Sequence, residues 1–302
     1  MKDAIKIVIL PLYRCKEDFP YYLFNVYKNN PNTCDLAFIE ETLSKLSLSY
    51  NIKSISIEGG EITDLSDLYF EILFNLVKLY VNKIKINTNF IYYNKSLIND
   101  VDIIDVNYFF DKVYTEHKQI KENIKAAVSI GKIVNINTWD VSLPEDTELE
   151  NIVFLNKLGI KSWKILPYHQ SGDNPKAHDY SFFERIVEKY LKLSDYMHFS
   201  FINKLELDGV IQNDNFPIKT IYLTPNSKLG LGVFENNKFS IKEFDDIETL
   251  EVFLKNQQSR QILICDDCKY KTKCLADRFF NPDYIGKSCS GFKDLIKTVE
   301  GK

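Results

Sequence analysis

An α/β fold is what this chain of 302 residues predicts: a partial βα barrel of the TIM type, then a C-terminal module of β-hairpin and clustered cysteines. Three observations predict it. From Ile5 to about residue 195, short apolar runs alternate with stretches whose apolar residues recur at helical spacing, the pattern of βα units on a parallel sheet. From Phe199 to Phe239 the segments become strand-like, with a hairpin signal at Pro225-Asn226-Ser227. Four of the 6 cysteines then fall between Cys265 and Cys289.

The elements follow in order. Ile5–Leu10 is an apolar run of the kind that makes a buried parallel strand. Phe38–Tyr50 has helical spacing, and Ser54–Ile57 is a second strand ending in Glu58-Gly59-Gly60-Glu61. Leu68–Val81 is the next helix, and Lys83–Asn87 a third strand running into Asn87-Thr88-Asn89. Nothing is assigned between Asn89 and Gln119. Helices over Gln119–Ile130, Thr147–Leu158 and Phe182–Leu193 then enclose strands at Lys132–Asn137 and Ser162–Pro167. About six βα units fit, short of an eight-fold barrel. Glu248–Leu254 is a short helix leading to the cysteines. The architecture changes between residues 197 and 198, which divides the chain into 1–197 and 198–302.

Cys265, Cys268, Cys274 and Cys289 are spaced C-x2-C-x5-C-x14-C. Four thiolates this close can converge on one zinc ion or one iron–sulfur cluster, and the ligand set alone does not separate the two. Lys269, Lys271 and Lys273 offset thiolate charge. Two disulfides, or four unrelated buried thiols, are the plainer alternative. Met1-Lys2-Asp3-Ala4-Ile5-Lys6 lacks the layout of an export signal, so the expectation is metal ligands in a reducing cytoplasm. The net charge of −4 gives no electrostatic case for nucleic acid. No apolar run approaches the roughly 20 residues of a membrane helix. Cys34 reads as a small buried hydrophobe.

In a βα barrel, ligands sit at the C-terminal ends of the strands. Cys15, Gly59 with Gly60, and Asn87 to Asn89 lie there. Gly59-Gly60 has two readings: a tight turn needing positive φ, or backbone N–H groups freed to approach a ligand. His169 and His178 flank a loop at the same end and read as solvated side chains. No triad, phosphate loop or HExxH motif occurs, and no catalytic residue is assigned.

Ser56-Ile57-Glu58-Gly59-Gly60-Glu61, Ile86-Asn87-Thr88-Asn89, and Leu158-Gly159-Ile160 through Pro167 resemble successive strand ends of the radical SAM superfamily. The C-terminal part resembles the SPASM domain of its peptide-modifying members. The resemblance implies that Gly59, Gly60, Glu61, Asn87 and Asn89 line the place where that family binds S-adenosylmethionine. It also implies that Cys265, Cys268, Cys274 and Cys289 hold one auxiliary [4Fe–4S] cluster, with zinc as the alternative. The departures are specific. In the register of the family's CxxxCxxC motif only Cys15 is a cysteine, with Phe19 and Tyr22 at the other two positions. Ile62 stands where proline is usual. Ser227 stands at the usual glycine of the hairpin, and Gly232 and Arg278 stand where the family has cysteines of its first auxiliary cluster. The implied role is a degenerate radical SAM/SPASM protein, an accessory in maturing a ribosomally made peptide. It would bind the precursor peptide, an active radical SAM partner, or both. The alternatives are a SPASM-type enzyme that still binds S-adenosylmethionine, or an electron carrier using the retained cluster.

Overall fold

The computed structural model describes residues 2–14, 27, 29–110, 117–144, 146–168, 180–205, 219–235 and 238–254. Six strand–helix units come first: β1 (Ala4–Ile9), α1 (Leu36–Ser49), β2 (Asn51–Ile57), α2 (Asp67–Lys78), β3 (Lys85–Thr88), α3 (Lys95–Asp100), β4 (Ile103–Asn107), α4 (His117–Ser129), β5 (Ile133–Trp139), α5 (Glu148–Leu158), β6 (Ser162–Leu166) and α6 (Tyr180–Lys192). Four strands follow: β7 (Ser200–Phe201), β8 (Lys219–Leu223), β9 (Leu229–Glu235) and β10 (Lys238–Phe244). All belong to one sheet in the order β10-β9-β8-β1-β2-β3-β4-β5-β6-β7. The pairs from β8 through β1 to β7 are parallel, and β8–β9–β10 is antiparallel. The sheet is therefore mostly parallel, and it is continuous across the change of pattern near residue 198.

Local chemistry explains the element ends. Asp35, Ser66 and Asn94 cap α1, α2 and α3 by accepting N–H groups of the first turn, which answers donors that a helix start leaves open. Gly159 ends α5 in the left-handed region at φ 69°, where glycine has no Cβ to clash. The hairpin signal at Pro225-Asn226-Ser227 is the turn between β8 and β9. Thr224 N–H donates to the Lys228 carbonyl at 2.9 Å, and Ser227 N–H donates back to the Thr224 carbonyl at 2.9 Å. The sequence reading missed α3 and β4. Lys95–Asp100 is too short to show a helical period, and Asp105 interrupts the apolar run of β4.

One apolar core lies between the sheet and its helices. Ile7, Ile57, Ile86, Ile104, Ile136 and Ile165 reach it from the strands, and Leu43, Leu73, Ile124 and Leu155 from the helices. Trp163 is its largest fully buried side chain. Its indole N–H donates to Thr138 Oγ1 at 3.0 Å and its ring meets Tyr190 edge-on, so the polar end of a large apolar group is satisfied. Beyond β6, the Asn203 amide imitates one more strand residue, accepting Ile165 N–H and donating to Ile165 C=O, both at 2.8 Å. No helix among the described residues is long and apolar enough to cross a membrane.

Asp140, at the end of β5, is 2% exposed. Its Oδ1 accepts the N–H groups of Val141 and Tyr168, each at 2.9 Å, tying β5 to the chain leaving β6. Burial raises its pKa to about 7, against the opposing pull of those N–H groups. A carboxyl whose folded pKa is raised holds its proton more tightly when folded. Its stabilising share is therefore fully present below the unfolded value near 4 and is lost as pH rises through about 7. Asp140→Asn keeps an oxygen acceptor and has no charge to bury. Its stability relative to wild type should rise between pH 4 and pH 7, by at most about 1.4 kcal/mol per pH unit, and stay level above. Urea denaturation of both proteins across pH 4.5–8, in steps of about half a unit on that window, checks this; parallel curves refute it.

Candidate functional site

Period-two alternation along β2–β6 sends every second side chain away from the helices. In the middle of the strands those positions are polar, with Ile103, Ile133, Trp139 and Leu166 on the same face at the strand ends. Register pairs Asn87 with Asp105, Asp105 with Asn135 and Asn135 with Ser162, which places them in one row across four strands. One residue pair nearer the C-terminal ends, Asn107 pairs with Asn137 and Asn137 with Lys164. Most of these side chains are half-buried; Asp105 and Ser162 are buried.

The lower row is bonded into a chain. Ser162 Oγ donates to Asn135 Oδ1 at 2.7 Å, and Asn135 Nδ2 donates to Asp105 Oδ1 at 2.8 Å. The other Asp105 oxygen is ion-paired with the Lys85 ammonium. Glu58 accepts from Ser56 Oγ at 2.7 Å. Burial raises the Glu58 pKa; the Ser56 hydrogen bond and the Lys85 charge pull it down, and Asp105 adds to the rise. Burial works against the Lys85 charge too, but Asp105 and then Glu58 outweigh it, and its pKa is raised. The arrangement is a partly buried charge cluster held by the Lys85–Asp105 pair and by hydrogen bonds from Ser56 and Asn135.

The residues singled out in the sequence sit beside this face in two groups. Glu61 is 1% exposed and accepts from Thr88 Oγ1 at 2.9 Å, and that hydroxyl accepts Phe90 N–H at 2.9 Å. Phe90 has φ 57°. Asn123 of α4 fixes that bend by donating to the carbonyls of Phe90 and Ile91 at 2.8 and 3.0 Å. Asn89 is buried and accepts from Asn107 Nδ2 at 3.5 Å, and Asn87 lies in the lower row. Asn87 and Asn89 thus border the polar face, while Glu61 meets β3 through Thr88, which alternates with Asn87.

Gly59 and Gly60 meet backbone. Gly60 N–H donates to Leu12 C=O at 2.9 Å and Glu61 N–H to Arg14 C=O at 3.2 Å. Gly59 has φ 122°, and a Cβ there would stand 2.4 Å from the Leu12 oxygen. At Gly60 it would stand 1.7 Å from the Arg14 oxygen. The turn reading applies at Gly59, where φ is positive, and the close approach at both glycines is by the segment after β1, to which the Gly60 N–H is given. That segment is held further on. Cys34 N–H donates to Pro11 C=O, Asn30 and Asn32 donate to Asn226 Oδ1, and Asp35 N–H donates to Ser227 Oγ. Tyr13 stacks on Tyr27 at 4.7 Å, over Val8, Leu10, Tyr222 and Ile241. Cys34 is a buried core thiol, as its sequence reading expects, and its pKa is pushed up to about 12 by burial and then by Asp35.

Cys15, Phe19, Tyr22, His169, His178, Cys265, Cys268, Cys274 and Cys289 lie outside the described residues. Among the described residues no group of three or more His, Cys, Asp or Glu side chains is placed to hold a metal. Sequence reasoning missed Lys85, Asp105, Asn107, Asn135, Asn137, Ser162 and Lys164. The signal was present: Lys85/Asn87, Asp105/Asn107, Asn135/Asn137 and Ser162/Lys164 are polar pairs at i and i+2 in four successive strands.

Gly60→Ala should cost about 1–3 kcal/mol, as overpacking against an unyielding neighbour does, because the Arg14 carbonyl must move. The shift of its urea midpoint measures this; an unchanged midpoint refutes the close approach.

No known protein-family profile matches the chain, and no curated protein sequence does. Solved structures do. Streptococcus suis SuiB has a TM-score of 0.60 at 15% identity over 76% of this chain and 60% of its own. SuiB bound to the precursor peptide SuiA gives 0.59 at 17%, over 76% and 59%. SuiB bound to S-adenosylmethionine gives 0.67 at 15%, over 94% and 78%. In the first two the chain spans about 60% of the SuiB length. The fold of this chain is similar to that of SuiB.

Proposed function

We propose that the chain is an accessory protein in the maturation of a ribosomally made peptide. It is a radical-SAM-like scaffold that binds the precursor peptide, an active radical SAM enzyme, or both, without cleaving S-adenosylmethionine itself. The observation that carries this reading is the segment Tyr13 to Tyr22. Where three thiolates would hold a catalytic cluster, only Cys15 has sulfur, Phe19 has no donor atom, and Tyr22 offers a phenol in place of a thiol. The fold likeness to SuiB, in structures bound to a precursor peptide and to S-adenosylmethionine, supports a peptide-linked role on a radical-SAM-like scaffold. In this reading residues 1–197 form the degenerate partial barrel and residues 198–302 the SPASM-like part, with β8–β9 as its hairpin. Gly59, Gly60, Glu61, Asn87 and Asn89 border the pocket where S-adenosylmethionine would bind if the pocket is retained. The protein acts in the cytoplasm.

Cys265, Cys268, Cys274 and Cys289 are assigned to one [4Fe–4S] cluster, with zinc as the alternative, because a four-thiolate donor set suits both. A bound cluster would supply one-electron chemistry, and this set favours a second reading in which the chain passes electrons to its partner.

Two measurements test the proposal. Anaerobically reconstituted protein given dithionite and S-adenosylmethionine should yield no 5′-deoxyadenosine above a protein-free control; catalytic yield overturns the accessory reading. Metal analysis should find about four irons per chain, with sulfide and a reduced-cluster paramagnetic signal. Cys268→Ser should remove most of that iron. One zinc and no iron selects the structural alternative, while disulfide pairing of these cysteines in protein purified without oxidation overturns both.

A further inference from the structure

The lower polar row is spent on itself; in the row above, the Asn137 amide and the Asn107 Oδ1 are not. Asn135 uses both ends of its amide, on Asp105 and Ser162. Asn137, one pair nearer the strand ends, makes no side-chain hydrogen bond among the described residues, and the Oδ1 of its neighbour Asn107 is buried without a partner. A buried polar atom left unpaired costs free energy, and such a group in a folded protein calls for an explanation. The two amides occupy paired positions on adjacent parallel strands, next to Lys164.

The charges below narrow what can answer them. Asp105 and Glu58 oppose an anion, and Lys85 and Lys164 oppose a cation. A neutral group that both donates and accepts fits best. Asn137 offers an NH2 donor and a C=O acceptor in one plane, the complement of a peptide group, and Asn107 offers its C=O and the amide hydrogen not given to Asn89. The two lie on neighbouring strands, roughly 4.8 Å apart, and can each meet one peptide group of an extended segment laid across the strands.

We propose that Asn107 and Asn137, with Lys164 beside them, form a subsite that reads the main-chain amides of an extended peptide and leaves its side chains largely unread. This rests on the peptide-binding reading above and deepens it: recognition at this row would tolerate sequence changes in the peptide. The lower row, Lys85–Asp105–Asn135–Ser162, positions the strands without touching the peptide.

The experiment uses the full chain and a displayed library of short random peptides. Enriched peptides are resynthesised and scanned by backbone N-methylation, and affinities are measured for wild type, Asn137→Leu, Asn107→Leu and Asn137→Ser, with thermal melts confirming the fold. Asn137→Leu should weaken binding about tenfold, in line with one or two lost hydrogen bonds. N-methylation at one position should do the same to wild type and add nothing in the variant, a coupling that a merely structural role would not produce. The milder Asn137→Ser should lie between, and it carries the test if the leucine variants melt early. Peptides that bind equally to wild type and variants, or whose N-methylation losses persist undiminished in the variants, overturn the subsite while leaving peptide binding standing. S-adenosylmethionine binding lost in Asn137→Leu with peptide affinity unchanged also overturns it. Failure to enrich any peptide overturns the peptide-binding reading, and the subsite with it.

Discussion

A slip of β5 by one residue against β4 would turn Asn137 into the helix layer and expose Ile136, since side chains alternate strictly along a strand. The register of the parallel sheet is thus the constraint on which the site depends. It is enforced twice, by isoleucine-rich rows sealed under the helices and by the bonded row on the opposite face. The same pairing that buries the core aligns Asn87, Asp105, Asn135 and Ser162 without any dedicated scaffold.

Toward β1 the character of that face changes. Val8 pairs with Ser56 on one side and Tyr222 on the other, and with Leu10, Tyr13 and Ile241 it forms a small apolar cluster of its own. The Tyr27 hydroxyl completes it by accepting Ile241 N–H at 3.1 Å and donating to Ile241 C=O at 3.4 Å. The polar face is therefore walled by aromatic rings on its β1 side. The chain that makes the wall approaches Gly60 at one end and is clasped by Asn226 and Ser227 of the hairpin turn at the other.

Much of the fold was legible because its strands are short isoleucine-rich runs and its longer helices show their period. The hairpin was legible because Asn226 and Ser227 sit where a tight turn is needed. α3 and β4 were not, because six residues carry no period and Asp105 sits inside an apolar strand. Of the polar face, Asn87 and Asn89 were legible from their place at the end of a strand. The Lys85–Asp105 pair was not, because it joins neighbouring strands, and neighbours in space cannot be counted along a sequence. The roles of Gly59 and Gly60 were half legible: glycine marks close approach, but only the structure names Leu12 and Arg14 as what approaches.

The place of β8 beside β1 has a consequence for how the chain comes to be made. β1 emerges from the ribosome with Ile5, Ile7 and Ile9 on one side and Val8 on the other, and β2 soon pairs with one of its edges. The other edge stays open until the whole run from β2 to β7 has been synthesised and β8 arrives. An uncovered strand of such residues is a template for pairing with foreign chains, and closing so distant a contact is slow. A translation stall or a proteolytic cut before Lys219 would leave a nearly complete sheet with its most self-adhesive edge bare.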